Sequence, residues 1–155
     1  EKDESFKQTV EALKKAIVAG DISYLSKHIA FEGIIRGKVK KYARQAGKNT
    51  SFMARSAGAV ASMSEPAITR AAGSFVMKEL GRSSPALRRR YLNALHITKI
   101  GDNGQSGYIS GSFLGRPAFI AAIHDGNDWI IAGAESPIID EEFSRLLRFL
   151  RVPVN

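Results

Sequence analysis

ALHITKIGDNGQSGYISGSFLGRPAFIAAIHDGNDWIIAGAE, residues 94–135, decides the fold. Four strand-like runs, Ala94 to Ile100, Gly107 to Leu114, Pro117 to His124 and Asp128 to Glu135, alternate with short connections. The connections hold Asp102-Asn103-Gly104, Gly115-Arg116 and Asp125-Gly126-Asn127, residue types that tolerate positive φ and close tight hairpins. Parallel neighbours would need long crossovers, so the runs read as an antiparallel meander. The first two mix polar and apolar positions. Ala118 to Ile123 and Trp129 to Ala134 are apolar at both parities, which predicts cover on both faces. Strict alternation puts Trp129 and Ile131 on one face and Ile130, Ala132 and Ala134 on the other, with Ile120 and Ala122 opposite Phe119, Ala121 and Ile123. Helices can bury one set. The other requires the C-terminal helix or a second copy of the chain.

Helical periodicity flanks this block. Phe6, Val10, Leu13 and Ile17 form an amphipathic stripe that Gly20 ends, and Asp21 caps a second helix burying Ile22, Leu25 and Ile29. A third helix, Phe31 to about Gln45, is expected to bury Phe31, Ile34, Ile35, Val39 and Tyr42 and to expose Arg36, Lys38, Lys40, Lys41 and Arg44. Asn49 to Leu80 reads as two small-residue helices, one running through Met63, the other opened by Ser64-Glu65-Pro66 and closed by Gly81. Phe52, Met53, Met63, Phe75 and Met77 are expected in their cores. Ser83-Ser84-Pro85 starts a further helix. A last one, Asp140 to Arg151, aligns Phe143, Leu146, Leu147 and Leu150 before Pro153. The fold class is α+β: N-terminal helices packed on a four-stranded antiparallel meander, then a C-terminal helix, in a single domain over residues 1–155.

Composition narrows the chemistry. The 155 residues contain no cysteine, which removes disulfides, thiol nucleophiles and thiolate metal sites. Apolar runs fall far short of the ~20 residues that span a bilayer. The chain begins at Glu1 without methionine, so a processed N-terminus is expected. Its net charge is +8, and residues 36–90 hold thirteen Lys or Arg against Glu65 and Glu79, which suits an anionic partner. Lys38, Lys40 and Lys41 are candidates for an anionic membrane surface. Arg88-Arg89-Arg90-Tyr91 could hold phosphate and stack a base, but no nucleic-acid-binding motif accompanies it, and nucleic acid is the less favoured partner.

Two local stretches carry a resemblance. Ala16-Ile17-Val18-Ala19-Gly20-Asp21-Ile22-Ser23-Tyr24-Leu25, and His124-Asp125-Gly126-Asn127-Asp128-Trp129-Ile130-Ile131, together with the order of elements, resemble the nuclear transport factor 2-like superfamily. The resemblance covers roughly residues 6–34 and 91–135. It implies a cone-shaped α+β fold, and the closest likeness, to bacterial extracytoplasmic members, implies a periplasmic or membrane-anchored location. Sheet-mediated dimers are common in that superfamily, and a homodimer is expected here. Its enzymes place Asp, His or paired Asp and Arg in an apolar pocket.

Candidates for such a pocket are His96, Tyr108, His124 and Trp129, around a small apolar ligand. Most other polar signals have structural explanations. Asp21 is a helix cap, Asp125 a turn former, and Asp140-Glu141-Glu142 fit the first turn of a helix. His28 is expected on the surface, and three scattered histidines give no metal spacing. Phosphate-loop and nucleophile-elbow patterns are missing, and no cofactor is implied. The expected function is a noncatalytic ligand-binding or protein-interaction module of the bacterial cell envelope. The alternatives are a cone-fold enzyme using His96 or His124 as acid and base, and an anionic-polymer or lipid-binding domain using residues 36–90.

Overall fold

The computed structural model describes residues 5–48 and 65–150. The helix expected from Asn49 to Met63, with Phe52 and Met53, lies outside the described residues, as does Arg151. Helix α1 (Phe6–Ala19) starts at Ser5, whose hydroxyl accepts from the Gln8 N–H while the Gln8 side chain accepts from the Ser5 N–H. Gly20, at φ 70°, ends it. Asp21 caps α2 (Ile22–His28), accepting from the Tyr24 N–H at 3.1 Å. Then come α3 (Phe31–Lys48), α4 (Glu65–Arg82) and α5 (Pro85–Asn93), the last capped by Ser84 with proline in its first turn. After the sheet, α6 (Pro137–Leu150) begins earlier than the acidic triplet suggests, because Pro137 suits a first helical position.

The sheet is an antiparallel meander in the order β1-β2-β3-β4, with β1 (Leu95–Asp102), β2 (Ser106–Phe113), β3 (Arg116–His124) and β4 (Trp129–Glu135). Phe113 pairs with Arg116, so the β2–β3 turn is Leu114-Gly115, one residue earlier than the sequence suggests. Two irregularities break strict alternation. One lies between Ile97 and Lys99; the other, between Ala121 and Ala122, leaves Ala132 as an extra residue in β4. Beyond it Ala134 pairs with Ile120, so Ala134 shares the face of Ile120 and Ile131, contrary to the period-two reading. The free edge of β4 is partly covered, since Ile29 forms a parallel bridge to Ile131 and the Ala30 N–H donates to the Ile131 carbonyl at 2.9 Å.

The helices pack on one face. Phe6, Val10, Leu13 and Ala16 of α1 and Leu25 of α2 enclose a core with Ile109, Ala122, Trp129 and Ile131. Phe6 is wholly buried and lies against Gly107, where a Cβ would stand 2.9 Å from its ring; only glycine admits that approach. A second core joins Ile35, Val39 and Tyr42 of α3, Ile68 and Ala72 of α4, and Leu147 of α6. Leu147 of α6 is thereby buried against α3 and α4, with Phe143 and Leu146 packed beside it. The opposite sheet face keeps Phe119 at 44% and Ile123 at 49% exposure.

Candidate functional site

That opposite face is built from the alternate residues of all four strands. Pairing of Gly101 with Tyr108, Tyr108 with Ala121, Ser110 with Phe119, and Ile123 with Ile130 places these side chains together. Tyr108 and Phe119 stack with ring centroids 6.1 Å apart and planes 9° from parallel, and the Lys99 ammonium lies 5.9 Å from the Tyr108 centroid. The result is an apolar strip of Phe119, Ala121, Ile123 and Ile130, bordered by Tyr108, Lys99 and the exposed His96.

The four residues expected around a small ligand fall on opposite faces. His96 and Tyr108 belong to the open face. His124 and Trp129 belong to the helix-covered one, where Trp129 is buried with its ring centroid 5.0 Å from that of Phe6. His124 packs edge-on against Trp129 at 5.0 Å, and its Nδ1 accepts from the Gly126 N–H at 3.2 Å. Asp125 forms the turn itself, accepting from the N–H groups of Asn127 and Asp128; those hydrogen bonds, the Asp128 one foremost, hold its carboxyl below the usual range. Among the described residues neither His96 nor His124 shares a hydrogen bond with an Asp or Tyr. His28 is buried rather than exposed, and its Nδ1–H donates to the Trp129 carbonyl at 3.0 Å, tying α2 to the start of β4.

The candidate anion-binding lysines also separate. Lys40 is exposed. Lys38, expected outside, is 6% exposed, and its ammonium lies 2.8 Å from Asp140 Oδ1 and 3.1 Å from Glu135 Oε2. Lys41 approaches the same carboxylates at 2.6 and 3.4 Å. Burial alone would push the Asp140 carboxyl up, but the hydrogen bonds and charges of Lys38 and Lys41 outweigh it and hold it below the ordinary value. The hydrogen bond to Asp140 raises Lys41 in turn, against a smaller loss from burial. A shallow cleft with room for about one water adjoins the network, lined by Lys38, Lys41, Tyr42, Asp140, Phe143 and Ser144, with the buried Tyr42 hydroxyl unpartnered among the described residues. The spacing Ile34, Lys38, Tyr42 was the available signal for a buried lysine, because residues four apart share a helix face.

Of the arginine triplet, only Arg89 and Arg90 are exposed. Arg88 is buried, its guanidinium donating to the Ser83 carbonyl, to Ser83 Oγ at 3.2 Å and to the Val18 carbonyl at 3.2 Å. Among the described residues there is no group of His, Asp and Glu arranged to hold a metal, and no helix long and apolar enough to cross a membrane. No protein-family model, curated protein or solved structure matches this chain.

Proposed function

We propose that this chain is a noncatalytic interaction module that pairs with a second copy of itself through the open sheet face. The exposure of Phe119 and Ile123 in an apolar strip that β3 and β4 build on the open face carries this reading. Four strands spaced about 4.8 Å apart and about eight residues long at about 3.3 Å each cover roughly 500 Å². Two such faces bury roughly 1,000 Å² in total, the lower bound for a specific interface. A twofold pairing needs only this one patch, since each copy offers the same surface. Ile29 and Ala30 partly cover the edge of β4 and so leave less of that edge for edge-on association.

A small apolar ligand between helices and sheet is less well supported, because Phe6 and Trp129 fill that side. Acid–base chemistry at His96 or His124 finds little support in their surroundings, one imidazole standing on the open face and the other beside a turn. Membership of the nuclear transport factor 2-like superfamily, with its cone, and a bacterial envelope location remain parts of the proposal that rest on the resemblance of residues 16–25 and 124–131.

Ile123→Lys tests the pairing. The position is half exposed, so the chain should fold with an unchanged far-ultraviolet spectrum, while like charges across the twofold separate the copies. Light scattering should then give the monomer mass where the unmodified chain gives twice that. An unchanged mass ratio would remove the sheet face from the interface.

A further inference from the structure

We infer that the end of the domain where α5 meets the β2–β3 turn docks on an anionic phospholipid surface. The inference stands on residues apart from the open sheet face. The turn consists of Leu114 at φ 51° and Gly115 at φ 81°, a two-residue hairpin loop with both residues in the left-handed region. Asn or Asp is the favoured first residue of such a loop, and a branched apolar side chain is strained there. Leu114 nevertheless occupies it and is 51% exposed, so the folded monomer gains little from its side chain.

The tip is held against α5. The Leu114 N–H donates to the Ala94 carbonyl at 3.1 Å, just past the end of α5, and the Phe113 ring lies 6.5 Å from that of Tyr91. Tyr91 is 52% exposed, and Leu87, one turn back on α5, is 38% exposed. Leu114, Tyr91 and Leu87 are three of the five exposed large apolar side chains among the described residues; the other two are Phe119 and Ile123.

The unpaired charge of α5 and its flanks has one sign, and Glu141, which reaches Arg116 beside the turn at 2.8 Å, is matched by that guanidinium. Between Glu79 and Asp102 the sequence holds no acid, while the end of α4 and α5 carry Arg82, Arg88, Arg89 and Arg90. Arg88 is buried, but Arg82, Arg89 and Arg90 are exposed and make no ion pair among the described residues. Apolar side chains that enter the acyl boundary, a tyrosine suited to the headgroup level and guanidinium groups that bind phosphate form the elements of an interfacial anchor. A nucleic acid would use the arginines and Tyr91 and leave Leu114 and Leu87 without a role.

The test is co-sedimentation of the full chain with phosphatidylcholine vesicles, with and without phosphatidylglycerol, using Trp129 fluorescence to confirm folding. Pelleting should require phosphatidylglycerol and weaken with added salt. Arg89→Gln with Arg90→Gln should weaken it about 30-fold, from the usual contribution of two basic side chains near an anionic surface. Leu114→Asn suits the turn better, so its thermal midpoint should hold or rise while vesicle affinity drops about tenfold. Unchanged affinity on Leu114→Asn, pelleting that ignores phosphatidylglycerol, or no pelleting at all overturns the inference. So does retention of a DNA duplex equally by Leu114→Asn and the unmodified chain when vesicles are not bound.

Discussion

Arg88 supplies a charge that α1 lacks. The last turn of α1 contains no basic residue, and the Arg88 guanidinium reaches its Val18 carbonyl from α5, placing a cation at the negative end of that helix. The same group holds the Ser83 carbonyl, so one side chain joins the end of α1 to the α4–α5 turn. Arg88→Ala should cost about 2–4 kcal/mol, because buried carbonyls lose charged donors and a cavity opens. Urea denaturation measures this, and a loss below about 0.5 kcal/mol, the ordinary surface value, would contradict the clamp. Gly20→Ala should cost more than about 1 kcal/mol. Its Cβ would meet Arg88 Nη2 at 2.9 Å on a backbone already at φ 70°. At this scale the sequence was only partly legible. Asp21, Ser84 and Asp125 declare themselves because caps and turns depend on their immediate neighbours. Arg88, Lys38 and His28 do not, since each is buried by elements distant in sequence.

Between elements, the network of Lys38, Lys41, Glu135 and Asp140 ties α3 to α6 and the end of β4. Its sign with pH follows from Asp140, whose folded-state pKa is depressed. The stability it contributes is present above the unfolded value of about 3.9 and is lost as pH falls through the folded value. Lys41 is raised, so its contribution is full below about 10.4 and is lost only as pH rises through the folded value. Asp140→Asn should therefore destabilise by about 1–3 kcal/mol at neutral pH, chiefly by leaving the buried Lys38 with one carboxylate. The gap from the unmodified chain should close in acid below about pH 3.9. Thermal melts across pH measure it, and a gap that persists undiminished in strong acid contradicts the network. The strands themselves were readable, because apolar runs and Gly- or Asn-bearing turns are local signals. The Ala132 bulge was not, since it depends on which residue of β3 each residue of β4 faces, and it turned Ala134 to the covered side.

For the whole molecule, the α+β class and meander order follow from short turns and periodicity, whereas the placement of α6 depends on competition between surfaces. Its apolar stripe could have covered either the open sheet face or the second core. Leu147 lies buried with Ile35, Val39, Tyr42, Ile68 and Ala72, and Phe143 and Leu146 pack beside it. The sheet thus retains an apolar strip on the open side of its third and fourth strands, and the candidate ligand residues divide between its two sides. Sedimentation equilibrium of the unmodified chain over a dilution series tests the pairing most directly. The expected result is a species of twice 16.9 kDa at micromolar concentration that dissociates on dilution. A single 16.9 kDa species throughout the series would contradict it.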